Sequence, residues 1–303
     1  MKSSILKVYY LKNSLIKNFR TITTRPDFNV TYFEGGLGSQ ILAFIEFQNK
    51  KKIYPNNQRV DIEYFQRNEV YQHGNGLTHW KWRLDHYGIR LEDFRSFSVH
   101  GNFGASRRPN ENEQANNIVR HGLFSVSEEI LEMLPVLSTE SKRNEIFFGG
   151  SETPEYGVVH LRKGDYLKVA SLVLGIEEII STLKLMKSIL PPVLIFLSDG
   201  RLEEWERSAV KRVLEQSSNI SIQFHDNSNP DVDEIVVHDL MRFAKFLITG
   251  NSTFSFSAGL LSNRPDSLVI FPIEFFGASS SATSLAFRSK AKFGILDRQV
   301  KSI

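Results

Sequence analysis

The feature that most restricts the fold of this chain is an alternation between residues 155 and 275. Short apolar runs take turns with segments of helical periodicity. Residues 157–161 read as a strand. Residues 177–190 place Ile179, Ile180, Leu183, Met186, Ile189 and Leu190 at helical spacing before Pro191-Pro192 stops them. Residues 193–197 read as a buried strand and Ser198-Asp199-Gly200 as a turn. Residues 202–214 form a second amphipathic helix, with Leu202, Trp205, Ala209, Val213 and Leu214 near one face. A strand at 220–224, a helix at 235–245, a strand at 246–249, a helix at 253–262 and a strand at 267–271 complete the series. Strands joined through helices at this spacing need crossover connections, which specify a parallel, Rossmann-like sheet.

The first half is less regular. Residues 30–33 read as a strand, 35–40 as a glycine loop, and 41–52 as a helix whose closing Lys50-Lys51-Lys52 suits the C-terminal end of the helix dipole. From 55 to 125 the pattern is irregular and polar, with Trp80 and Trp82. Residues 127–134 return as a short helix, and 138–155, rich in Ser, Glu and Gly, read as a connection. The 303 residues therefore divide into an N-terminal α/β domain, 1–150, and a C-terminal Rossmann-like domain, 151–303. A 41% hydrophobic share supports a buried core in each and excludes general disorder.

Charge and cysteine usage narrow the function. A net charge of +3 is too small to point to nucleic acid. With no cysteine, disulfide scaffolds, iron–sulfur clusters and thiol nucleophiles are excluded. The longest apolar run, 193–197, is far short of the roughly 18 residues of a membrane span. Residues 1–29 are basic, and Lys7, Lys12 and Asn13 interrupt the apolar stretch a secretory signal needs. The expectation is a cytoplasmic protein. Its basic start either covers the first domain or touches the inner face of an anionic inner membrane.

In open α/β sheets ligands bind beyond the carboxyl ends of the strands. Three segments fall there in the second domain: Arg162-Lys163-Gly164-Asp165-Tyr166, Ser198-Asp199-Gly200, and Gly250-Asn251-Ser252-Thr253 entering a helix. A helix N-terminus is a ready anion site, and an arginine adds a bidentate clamp suited to a diphosphate. Each has a plainer reading too: Asn251, Ser252 and Thr253 as a cap, Asp165 as a turn residue, Arg162 as an ordinary ion pair. Their conjunction on one sheet edge describes a nucleotide-diphosphate pocket.

These residues also carry a resemblance. HLRKGDY (160–166) resembles the HxRRGDY motif of the α-1,2-fucosyltransferases of glycosyltransferase family 11. DLMRFAKFLITGNSTFSFSAGLL (239–261) is similar to that family's segment around N-S-T-F-S-W-W. GGLGSQI (35–41) looks like its GGLGNQ element, and FLSDG (196–200) matches its FSDD element less closely. The wider α-1,2/α-1,6/protein-O-fucosyltransferase superfamily shares the arginine motif. The resemblance implies a GT-B-like fold, two Rossmann-like domains facing across a cleft. It implies inverting, metal-independent transfer of L-fucose from GDP-β-L-fucose to a glycan hydroxyl, such as a galactose 2-OH in O-antigen or capsule, in a bacterium. No cofactor is implied, and the acceptor can be lipid-linked.

On the same resemblance the donor is bound by Gly35, Gly36, Gly38, Ser39, Gln40, Arg162, Lys163, Ser198, Asp199, Asn251, Ser252, Thr253, Phe254 and Ser255. Arg162 contacts the diphosphate, with His160 beside it. Candidates for the base are Glu34, His160 and Asp165, and Trp80, Trp82 and Tyr87 would shape the acceptor side. Ser39, Lys163, Gly200, Ala244 and Phe256-Ser257 depart from the family pattern, which bears on donor sugar and linkage. Three rival readings stand beside this one: a transferase using another nucleotide sugar, a non-catalytic nucleotide- or carbohydrate-binding relative, and a metal-dependent GT-A enzyme built on Asp231-Val232-Asp233. Asn229-Pro230-Asp231 reads better as a turn before a helix. The histidines 73, 79, 86 and 100 lack a metal-ligand spacing.

Overall fold

A computed structural model describes residues 29–33, 35–53, 55–56, 58–62, 65, 81–97, 126–136, 139–163, 175–214, 220–226, 232–250, 252–272 and 293–295. The basic segment 1–28 lies outside them. Two compact units divide the chain, Met1–Gln114 and Ala115–Ile303.

In the first unit, β1 (Asn29–Tyr32) pairs in parallel with β2 (Gln58–Asp61), and α1 (Leu37–Ile53) connects them. α1 starts four residues earlier than its periodicity indicates, so Gly38, Ser39 and Gln40 lie in its first turn, not in a loop. Two short 3-10 helices follow, Leu84–Tyr87 and Leu91–Phe97. Phe33, Phe65 and Phe94 pack around Trp82, at ring-centroid distances of 5.2–5.5 Å, and the Trp82 indole N–H donates to the Ile89 carbonyl at 2.8 Å. Tyr87 is buried. Of the residues expected to shape an acceptor site, Tyr87 thus lies in this unit's core and Trp82 packs half-buried against it; Trp80 is outside the described residues.

The second unit is a sheet with helices on both faces. Its strands are β3 (Tyr156–Leu161), β4 (Val193–Ser198), β5 (Ser221–His225), β6 (Phe246–Ile248), β7 (Leu268–Pro272) and β8 (Phe293–Ile295), in the order β5-β4-β3-β6-β7-β8. Five run parallel and β8 closes one edge antiparallel to β7. The helices are α2 (Glu128–Met133), α3 (Glu140–Phe148), α4 (Ile176–Leu185), α5 (Glu204–Leu214), α6 (Glu234–Arg242) and α7 (Thr253–Leu260).

Because alternate residues of a strand face opposite ways, each strand feeds two cores. Val159, Leu161, Leu194, Phe196, Phe246, Ile248 and Ile270 pack under α4 and α5. Tyr156, Val158, Ile195, Leu197, Leu247 and Val269 pack under α3, α6 and α7. Strands covered on both sides read as continuous apolar runs, which is how they stood out in the sequence.

Helix α3 lies where a connection was expected. Its buried face is Arg143 with Phe147, one turn apart, and the Arg143 guanidinium stacks over the Phe243 ring at 4.3 Å. An arginine on a buried stripe breaks the apolar period that would have marked the helix. Trp205 and Ile189, assigned to buried helix faces, are instead 59% and 52% exposed. Among the described residues, no helix is long and apolar enough to cross a membrane.

Candidate functional site

The strand order sets the place. From β3 the chain moves to β4 and β5 on one side, whereas β6 leads to β7 on the other, so the order reverses between β3 and β6. Beyond the carboxyl ends of two such strands the connections diverge and leave a crevice. Here the residues at that point are His160, Leu161 and Arg162 from β3, and Thr249 and Gly250 from β6.

The two strand ends approach closely. A Cβ on Gly250 would stand 2.8 Å from the His160 carbonyl oxygen and 3.1 Å from both the Arg162 backbone nitrogen and His160 Nδ1. Glycine is required by that approach, since two of the three atoms belong to backbone.

His160 resolves its own orientation. It shares the parity of Tyr156 and Val158, so its ring faces the α6/α7 layer, buried, with its centroid 6.2 Å from the Phe254 ring. The Phe254 ring also lies 5.2 Å from that of His238, whose Nε2 meets Ser257 Oγ at 3.0 Å. Val159 pairs with Ile248, so the next residues, His160 and Thr249, are neighbours on that face. His160 Nδ1 and Thr249 Oγ1 are both buried and, among the described residues, have no hydrogen-bond partner. Buried polar atoms are nearly always satisfied, so two such atoms on neighbouring strand ends set the β3–β6 junction apart, as single ones do at Tyr87 and Asp239 elsewhere. Burial pushes the His160 pKa down to about 4, Arg162 adding to the shift and Asp199 opposing it, so the ring is neutral at pH 7.

Arg162 leaves β3 into an ion pair with Asp199 of the turn after β4: Nη1 to Oδ2, 2.7 Å. The other Asp199 oxygen accepts the Lys163 backbone N–H at 2.5 Å. The Lys163 ammonium pairs with Glu206 and donates to the Arg201 carbonyl. Glu206 is buried and also accepts the Glu203 N–H at 2.8 Å, closing the N-terminus of α5. Ser198 Oγ accepts the Gly200 N–H at 3.2 Å. Ser198, Asp199 and Lys163 are therefore engaged in building the turns around Arg162.

Beside Gly250, α7 begins. Ser252 stands at its N-cap position with extended backbone and is buried, yet its hydroxyl makes no capping bond. Thr253, Phe254 and Ser255 form the first turn, with Ser255 Oγ donating back to the Ser252 carbonyl at 3.3 Å. Helix N-termini point backbone N–H groups outwards, where an anion can meet them.

The structure brings His160, Arg162, Ser198, Asp199, Lys163, Ser252, Thr253, Phe254 and Ser255 to one edge of the sheet. Glu34, Asp165 and Asn251 are outside the described residues, as is Asp231. Asp233 caps α6 by accepting the Ile235 N–H at 3.0 Å, in keeping with turn chemistry. In the first unit, Gly35 has a φ of 75°. Gln40 spends both amide hydrogens on the Gly35 and Lys81 carbonyls, at 2.8 and 2.9 Å, and accepts the Arg83 N–H at 2.8 Å. It ties the glycine turn to the segment carrying Trp82. Sequence reading missed Thr249 and Glu206. Thr249 belonged to an apolar strand run, and Glu206 to the polar side of a helical wheel. A surface cavity of about 550 Å³ between α3 and the edge strand β5, lined by Phe147, Phe148, Phe224 and His225 among others, shares no residue with the crevice.

The fold and the site define an α/β unit with Arg162, the start of α7 and the His160–Thr249 pair at the carboxyl ends of its parallel strands. No family model matches the chain, and no curated protein does. Among solved structures, POFUT1 in complex with GDP-fucose aligns at 11% identity over 82% of this chain and 98% of that one, with a TM-score of 0.44. POFUT1 in its apo-form aligns at 12% identity over 82% and 99%, with a TM-score of 0.41. Likeness of this size does not establish a shared fold, and the chemistry rests on this chain's own residues.

Proposed function

We propose that this chain is a glycosyltransferase that draws on a nucleoside-diphosphate sugar, with the donor diphosphate in the crevice between β3 and β6. One observation carries the reading: the start of α7 and the His160 Nδ1 and Thr249 Oγ1 atoms, unpartnered among the described residues, stand at the ends of β3 and β6, with Arg162 beside them, held from the end of β4 by Asp199. Cleavage of the sugar–phosphate bond builds negative charge on the departing diphosphate. Fixed donors aimed at that charge lower the barrier. Arg162 offers a planar fork and α7 its N–H groups, so this reading needs no metal. His160 serves as a hydrogen-bonding imidazole. As a base it would gain charge in a buried place next to Arg162, which is costly.

At finer grain we propose GDP-β-L-fucose as donor, a GT-B-like architecture, inversion at the anomeric carbon, and as acceptor a hydroxyl of a surface glycan, lipid-linked or free. The motifs at 35–41, 160–166 and 239–261 support these. The test is donor turnover with EDTA present, GDP-fucose, UDP-sugars and CMP-sugars in parallel, followed by release of free nucleotide. The expected result is GDP release from GDP-fucose, abolished in Arg162→Ala. Turnover of another donor keeps the transferase and replaces the sugar. Absence of turnover together with no thermal shift by GDP, UDP or CMP overturns the proposal.

A further inference from the structure

We infer that Asp199 is a positioning residue for Arg162 and not itself a ligand of the donor, an inference that rests on the reading of Arg162 as the diphosphate clamp. The carboxylate divides its two oxygens between consecutive residues: Oδ2 holds the Arg162 guanidinium at 2.7 Å and Oδ1 holds the Lys163 backbone N–H at 2.5 Å. One bond sets the side chain and the other sets the turn from which it springs. The pair is largely withdrawn from water, with side chains 17% and 22% exposed. A guanidinium carries five N–H donors in one plane, so a carboxylate at one nitrogen fixes the orientation of that plane.

The neighbouring cation has a different duty. Lys163 runs to Glu206, and Glu206 also closes the start of α5. The turn after β3 is thereby fastened from two sides, by β4 through Asp199 and by α5 through Glu206. Arg162 is presented from a braced platform, and the ordering of a long side chain is completed before the donor arrives, so that cost does not fall on binding.

The test combines two measurements. In ligand-free wild-type protein, nitrogen-15 NMR of the Arg162 guanidinium should show restricted rotation of its Nη groups. That restriction should be relaxed in Asp199→Asn, where the amide oxygen can still accept the Lys163 N–H. Free rotation in the wild type overturns the inference without reference to any variant or ligand. Calorimetric titration with GDP is then run on the wild type, Asp199→Asn, Arg162→Ala and the double variant. Asp199→Asn should weaken GDP binding roughly ten-fold in the wild-type background and leave it unchanged in Arg162→Ala. An equal loss in both backgrounds makes Asp199 a direct ligand, and tighter binding in Asp199→Asn makes it a competitor of the diphosphate; either overturns the inference. If the wild type binds neither GDP, UDP nor CMP, the donor reading falls, and the NMR result alone decides whether Asp199 sets Arg162.

Discussion

At Gly250 one methyl group separates two strand ends that meet from one that cannot. The Cβ of an alanine would press on the His160 carbonyl at 2.8 Å, and neither backbone can yield without opening the β3–β6 junction. Gly250→Ala should cost about 1–3 kcal/mol, read as a lower denaturation midpoint in urea. At Arg162 the question is geometry and not charge. Arg162→Lys keeps the cation and loses the planar fork, and should weaken GDP binding roughly ten-fold by calorimetry. These residues were visible in the sequence because the alternation of strands and helices put them at strand ends. The facing of His160 was not, because a one-residue shift in the strand would have turned its ring to the α4/α5 layer. Only the packing decides it: Tyr156 and Val158, of the same parity, lie under α3, α6 and α7.

Among the elements, α6 is pinned by its own last residue. Arg242 is almost wholly buried. It donates to the Leu134 and Pro135 carbonyls after α2, to the Leu261 carbonyl after α7, and to Asn263. It thus satisfies helix-end carbonyls that would otherwise be buried unpaired. Arg242→Met should destabilise the protein by about 3–5 kcal/mol and speed hydrogen exchange around α2 and the end of α7. Helix α5 keeps its expected face at Leu202, Ala209, Val213 and Leu214 and departs from it in its first turn. Glu206 is inside, held by Lys163 and the Glu203 N–H, while Trp205 is outside. Helical periodicity counts apolar residues, so a buried ion pair and a buried arginine, as in α3, escape it.

For the whole molecule, three histidines make stability depend on pH. His160, His238 and His225 all have pKa values lowered chiefly by burial, His160 to about 4. Below pH 6.5 the unfolded chain binds protons that the folded state refuses, so stability falls as pH falls towards 4. His160 alone accounts for about 3 kcal/mol across that window. Asp239 acts in the opposite sense: burial raises its pKa, so the folded state takes up that proton first and offsets part of the loss. Thermal midpoints should therefore drop steadily from pH 7 to pH 4.5, and His160→Gln should flatten the slope. An unchanged slope in that variant would remove His160 from the account.

By itself the sequence determined the layered α/β character of residues 155–275, because strands buried on both faces must be apolar throughout and the helices between them must carry one apolar stripe. It also determined which polar segments fall at strand ends. The tertiary structure alone decided the order β5-β4-β3-β6-β7-β8, hence which two ends form the crevice. It also decided that Asp199 and Glu206 brace the turn bearing Arg162. Periodicity is a local property of the chain, whereas strand neighbours and buried ion pairs are contacts between segments dozens of residues apart, fixed only when the layers pack.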